Sequence, residues 1–167
     1  MVDERDLQLL LLLEEDSRQA WRRIARLLGV SEATVYIRVR KLTERGILEG
    51  YSIRVNPEKL GLGACVFVIV KVRADKHKAV KEKLSRTRYV YEAYEISGSY
   101  HFLAKITAPT YQDAADIVDE IMAMDGVLEV LSFPVMRKVR VSPGLIRDYI
   151  DWSSEGGRAR ARGHRRA

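Results

Sequence analysis

The sequence predicts an α+β protein: a winged helix-turn-helix over residues 1–56, a hinge at 57–63, a ferredoxin-like βαββαβ domain over 64–152 and a basic disordered tail at 153–167. Three observations lead there. Between Trp21 and Lys41, apolar residues recur at helical spacing and are interrupted once, at Gly29-Val30-Ser31, so two short helices meet at a tight turn. After Asn56-Pro57 the hydrophobic period changes from helical to alternating. From that point strand, helix and strand follow one another twice, which is the βαββαβ plan.

In chain order, a first helix is expected over 3–15, opened by Asp3 with Asp6 three residues on. Its leucines (Leu7 and Leu9 to Leu13) are apolar over more than one face, so it should lie beneath the next two helices. In the second helix, Trp21, Ile24, Ala25 and Leu28 form one stripe, with Arg22, Arg23 and Arg26 opposite. Gly29 suits a left-handed cap, and Ser31 suits an N-cap for the third helix. That helix buries Val35, Val39 and Leu42 and stops at Gly46. At 100° per residue, Ala33, Ile37, Arg40 and Lys41 then point away from the core, with Thr34, Tyr36 and Arg38 on the flanks.

This arrangement suits insertion of the third helix into a DNA major groove, led by small and polar side chains near its N-terminus. The local charge agrees: from Ser17 to Leu42 there are seven cations and one acid, Glu32. Ser31, Ala33, Thr34, Ile37, Arg40 and Lys41 are the candidates to face bases. Ile37 is placed to meet thymine methyl groups. Arg22 and Arg23 would hold the phosphate backbone, and Tyr36, on the flank of the third helix, is a further DNA-contact candidate. Arg38 is only half turned outward, and an ion pair within the protein is its other reading. A helical hairpin with a solvated basic face is the plainer alternative. Two short alternating runs about Gly50, 47–49 and 51–55, read as a small wing or lead-out strand, with Arg54 within reach of phosphate.

The second domain is expected to run as strand 64–74, helix 76–88, strand 89–97, strand 100–107, helix 111–124 and strand 127–141, with a last short helix opened by Pro143. Thr110 and Asp113 form a capping box, and Asp125-Gly126 ends the second helix. In the first strand Val66, Val68, Val70 and Val72 make one apolar face, yet Cys65, Phe67 and Ile69 make the other apolar too. Helices cover only one face of such a sheet. The second face therefore calls for a partner, most simply the same sheet of a second subunit, and so for a homodimer.

Composition narrows the class. Of 29 basic and 23 acidic side chains, five arginines and Glu155 fall in 153–167, so the body holds 24 cations against 22 acids. The net charge of +6 is thus mostly a property of the tail, which reads either as an arm on phosphate or as a solvated end. The lone Cys65 permits no internal disulfide and fits a reducing cytoplasm. The opening Met-Val-Asp-Glu-Arg-Asp does not read as a secretory signal. The longest apolar run, 60–70, has about half the length a membrane helix needs. His77, His101 and His164 lack metal-ligand spacing, and no phosphate loop or nucleophile elbow is present, so neither a cofactor nor enzymatic chemistry is expected.

Taken together, Ser31-x-Ala33-Thr34-Val35-x-x-Arg38-Val39-x-x-Leu42-x-x-x-Gly46-Ile47-Leu48, Gly50-Tyr51, Asn56-Pro57 and Leu60-Gly61 ahead of a βαββαβ pattern resemble the Lrp/AsnC family of transcriptional regulators. The resemblance spans roughly residues 3–150. It implies double-stranded DNA as partner and a second domain that dimerises sheet to sheet, often building octamers. It also implies amino-acid-like effectors bound between subunits near the turn of the second and third strands. Gly98, Ser99, Tyr100 and His101 occupy that turn, where the family often has Gly-x-Tyr-Asp, so an imidazole stands in place of a carboxylate. Asp125 is a further candidate for the same cleft. Two other functions remain on the table at this point: an architectural DNA-wrapping protein, and a haem-pathway decarboxylase of similar fold, whose strand motifs match YVYEAYEISGSYHFLAKI poorly.

Overall fold

The computed structural model describes residues 2–139 and 145–154. They form two compact units: the N-terminal helices joined by the C-terminal helix, and residues 54–139.

In the first unit, α1 (Glu4–Glu15) begins with the expected reciprocal cap. The Asp6 amide donates to Asp3 Oδ1 at 2.8 Å and the Asp3 amide to Asp6 Oδ2 at 3.1 Å. α2 (Trp21–Leu28) ends at Gly29 with φ 64°, a left-handed cap. α3 (Glu32–Glu44) starts at Ser31, whose hydroxyl accepts from the Thr34 amide at 3.1 Å. Leu9, Leu10, Leu13, Ile24, Ala25, Val35, Val39 and Leu42 form one buried cluster. Burying each of the larger ones stabilises the unit by roughly 1.5–3 kcal/mol. Trp21 departs from the expected stripe. It stays 37% exposed and packs its ring on Tyr36, centroids 5.4 Å apart.

The last helix, α6 (Leu145–Ser154), packs against α1, whereas the sequence reading carried it with the second domain. Ile146 joins the leucine cluster, its amide donates to the Glu14 carboxylate at 3.3 Å, and Arg147 pairs with Glu15 at 3.2 Å. An α1 that is apolar over more than one face needs cover beyond α2 and α3, and α6 supplies it. The expected opening at Pro143 and the tail beyond 154 lie outside the described residues. The expected wing does not form: residues 46–56 contain no strand, and Ile53 is 82% exposed. Each short run has no neighbour in its unit with which to share a ladder.

The second unit is an antiparallel sheet in the order β2-β3-β1-β4. Its members are β1 (Ala64–Val72), β2 (Val90–Glu95), β3 (Phe102–Ala108) and β4 (Val127–Pro134), with α4 (His77–Leu84) and α5 (Tyr111–Met122) between them. Several elements are shorter than their sequence patterns. α4 stops at Leu84 because the Ser85 and Thr87 hydroxyls donate to the Glu82 and Lys83 carbonyls, satisfying the helix end. Tyr89, with φ 64°, turns the chain before β2. β4 ends at Pro134, which has no N–H for the ladder. The Thr110–Asp113 capping box is present as expected.

The valines of β1 are buried, with Phe102, Ala104 and Ile106, beneath Val80, Leu84, Ala114, Ile117 and Ile121 from the two helices. The opposite sheet face carries Phe67, Leu131, Phe133 and Tyr94, at 36–53% exposure, in register with Ile69 and Leu103. Among them sits one charged pair, Lys105 Nζ to Glu92 Oε1 at 2.6 Å.

Candidate functional site

With Val35, Val39 and Leu42 fixing its inner side, α3 turns Ser31, Ala33, Tyr36, Ile37, Arg40 and Lys41 to solvent and leaves Thr34 and Arg38 half-buried. Ile37 and Tyr36 are about half exposed, at 50% and 51%. The Ser31 and Thr34 hydroxyls lie 2.8 Å apart and are partly engaged in the cap. Arg40 Nε donates to Glu44 at 2.7 Å; both side chains are largely exposed, so solvent screens the pair and a competing anion can take the guanidinium. Arg22, Arg23 and Arg26 stand exposed on α2.

Arg38 is differently placed. Its Nη1 donates to Asp3 Oδ2 at 2.7 Å and to Asp6 Oδ1 at 2.6 Å, with the arginine side chain 22% exposed and that of Asp6 11%. The guanidinium holds the Asp3 carboxyl below the usual carboxylate range, chiefly by its hydrogen bond, and the two aspartates in turn raise the arginine. Of the two roles the sequence offered, this geometry is the ion pair: Arg38 ties α3 to the N-terminus of α1. Beside it, a cleft of about 460 Å³ runs between these helices, lined by Asp3, Ile37, Arg38, Lys41 and Arg45 among others. Arg54 lies in the second unit and is exposed.

In the second unit, Gly98 and Ser99 are exposed in the turn between β2 and β3, and His101 is the last residue before β3. Its main chain is fixed on both sides, donating to the Val70 carbonyl and accepting from the Ile96 amide, each at 2.9 Å. Its ring Nδ1 accepts from the Val72 amide at 3.0 Å. His77 sets its ring edge-on to that of His101, centroids 5.8 Å apart, and against Phe102 at 4.7 Å. Tyr100's phenol is pushed up by desolvation and by Glu129.

Asp125 reaches the same segment from the other side. Its carboxylate pairs with Lys76 and lies 4.0 Å from Arg73, and the Lys76 ammonium holds it below its ordinary range. The Arg73 amide donates to the Gly126 carbonyl at 2.8 Å. So residues 72–77 join the two candidates the sequence singled out separately. The sequence reading missed Arg73, Lys76 and His77; their signal is a basic cluster where a strand gives way to a helix, ordinary enough to pass as solvated surface. Among the described residues, no group of three or more histidine, cysteine or acidic side chains could hold a metal ion. None of the described helices is long and apolar enough to cross a membrane.

A helix-turn-helix unit with an outward cationic helix, joined to a four-stranded ferredoxin-like domain, defines a two-domain helix-turn-helix protein. Family models agree on both parts: the AsnC-type helix-turn-helix domain matches residues 2–43, and the Lrp/AsnC ligand binding domain matches residues 65–145. The chain belongs to the Lrp/AsnC family of transcriptional regulators. It is 40% identical over 141 residues to the HTH-type transcriptional regulator LrpA of Pyrococcus horikoshii, covering 84% of this chain and 100% of that one. It is 29% identical to the regulator FL11 of Pyrococcus furiosus, over 76% of this chain and 84% of that one. Among solved structures, AsnC of E. coli superposes with a TM-score of 0.80 at 25% identity, covering 85% of this chain and 97% of that one. A Neisseria meningitidis transcriptional regulator solved as a complex with L-Met shares the fold, with a TM-score of 0.79 at 20% identity, covering 85% and 94%.

Proposed function

We propose that the protein is a sequence-specific, DNA-binding transcriptional regulator of the cytoplasm that acts as a homodimer and responds to a small-molecule effector bound between subunits. It is a binding protein, not an enzyme. The observation that carries the DNA reading is the outward face of α3, where Ala33, Ile37, Arg40 and Lys41 stand exposed on a helix anchored by three buried residues. In this reading Ser31, Thr34 and Tyr36 flank the base-reading residues, and Arg22, Arg23 and Arg54 meet phosphates. Arg38 holds the helix. The bare apolar face of the sheet supports the homodimer, since so many exposed aromatic and aliphatic side chains on one surface mark an interface. The match to a ligand-binding domain, and the L-Met complex of a protein with this fold, support the effector.

The test is a footprint on the DNA upstream of the protein's own coding sequence, at low and near-physiological salt. Discrete protection that persists with salt, repeating at about one helical turn, supports the regulator. Protection that is diffuse and vanishes with salt, affinity falling by about 0.9 log units per phosphate contact for each log unit of salt, overturns it in favour of non-specific coating.

A further inference from the structure

On α2, Ile24 and Ala25 are buried, at 0% and 4% exposure, while Trp21, on the same stripe, stays out of the leucine cluster. Its ring lies instead on that of Tyr36, tilted by 38°, across the seam between α2 and α3. A tryptophan carries more apolar area than either of those neighbours, and here that area covers a side chain of the outward helix. Among the described residues, neither the Trp21 indole N–H nor the Tyr36 hydroxyl has a hydrogen-bond partner, so both donors are left to solvent or to a bound molecule.

Tyr36 stands 100° around α3 from Ile37, on the side turned toward α2. Ala33, Ile37 and Arg40 lead toward bases, whereas the α2 side carries Arg22 and Arg23 in the turn that Trp21 opens. Arg40 is raised chiefly by its hydrogen bond to Glu44, and the Tyr36 phenol one turn back adds to it, so the phenol oxygen lies within electrostatic range of that guanidinium. A hydroxyl donor set among cations suits an acceptor oxygen that carries negative charge, and a DNA phosphate meets both conditions. A helical tyrosine swings its phenol between two χ1 rotamers. The Trp21 ring favours the one observed, and binding then has less freedom to remove.

We infer that the Tyr36 hydroxyl donates to a backbone phosphate of DNA and that Trp21 is the positioning residue that aims it. This rests on the reading of the first unit as DNA-binding, and it gives a role to a side chain that lies outside the outward face of α3.

The experiment measures binding of the full chain, by fluorescence anisotropy over a range of salt, to two labelled duplexes: the DNA upstream of its own coding sequence and a scrambled version of it. Tyr36→Phe keeps the ring pair and removes only the hydroxyl, so it should weaken binding about tenfold on both duplexes. Its salt dependence should keep the wild-type slope, because a neutral donor releases no counterion, whereas Arg22→Ala should flatten it. Trp21→Ala should weaken binding about three- to tenfold, Trp21→Phe should stay close to the wild type, and Trp21→Ala should add nothing once Tyr36→Phe is present. A Tyr36→Phe variant that binds like the wild type, or that loses affinity for one duplex alone, overturns the phosphate contact while the DNA reading stands. A Trp21→Ala loss that is the same with and without the Tyr36 hydroxyl overturns the positioning role and leaves Trp21 as a support of the fold. Failure of the wild type to bind either duplex overturns the DNA reading itself and this inference with it. Should Trp21→Ala not fold, Tyr36→Phe and Trp21→Phe decide: the expected loss in the first with near-normal binding in the second supports the inference, and any other result overturns it.

Discussion

Replacing Arg38 with methionine separates its two possible roles cleanly. The substitution keeps most of the apolar stem and removes the guanidinium, together with hydrogen bonds of 2.7 Å to Asp3 and 2.6 Å to Asp6. Asp3 is more than half exposed, so solvent screens that arm and takes most of its weight away. Asp6 is only 11% exposed and would be left with the Asp3 amide alone. Hydrogen bonds to charged groups contribute about 1.5–3 kcal/mol, so the first unit should lose about 2–3 kcal/mol. Trp21 lies on α2 of that unit and packs on Tyr36, so urea unfolding read by its fluorescence reports the unit. The midpoint should fall by about 1–2 M. In folding conditions the salt dependence of DNA binding should keep its slope. An unchanged midpoint with a slope lower by about 0.9 would show instead that Arg38 contacts phosphate, and the assignment made from its geometry would be wrong.

Other expectations follow from the same geometry. Arg40→Ala should relax sequence preference as well as weaken binding, whereas Arg22→Ala should weaken all sequences alike; selection from a randomised DNA pool distinguishes them, and identical profiles would remove the base-reading role of Arg40. Phe133→Asp places a charge on the bare sheet face; if that face forms the proposed dimer, light scattering should find the wild type dimeric and the variant monomeric, and equal masses would remove the face from the interface. Gly126→Ala should cost the second unit about 2–4 kcal/mol: the residue has φ 94°, and an added Cβ would collide with the Cβ of Lys76. A normal melting temperature would mean that Lys76 and the 72–77 segment yield easily. Acid should loosen the α1–α3 tie. Asp3 is lowered in the folded state, so its contribution is present above about pH 4 and is lost as pH falls through the lower folded value. Arg38→Met should therefore have a shallower acid-unfolding curve than the wild type between about pH 5 and 2.

Much of this architecture was legible because local chemistry specifies it. Asp3 with Asp6, Ser31, and Thr110 with Asp113 announce helix starts through side-chain acceptors three residues from the amides they meet. The alternation at Val66, Val68, Val70 and Val72 announces both the strand and its buried face. What escaped involves partners far along the chain. Nothing near Leu145 says that it returns to α1, and nothing near His101 says that its ring accepts a hydrogen bond from the Val72 amide. The lengths of α4 and β4 depended on hydroxyls and a proline at their ends, which periodicity does not register. Trp21 was misplaced because helical spacing treats it as core, while its size lets it reach out to Tyr36. The outward residues of α3 were readable from a single rule, 100° per residue, and Arg38 fell on the boundary where that rule cannot choose.

Helix α6 has a consequence for how the protein is made. The Ile146 amide and the Glu14 carboxylate that receives it are 132 residues apart. At about 5–20 residues per second, α1 leaves the ribosome roughly 7–25 seconds before the helix that covers it. In that interval the entire sheet domain emerges and can fold, while the leucines of α1 stay partly bare. The helix-turn-helix unit is thus the first begun and the last finished, and a nascent chain cannot complete it before its sheet domain exists.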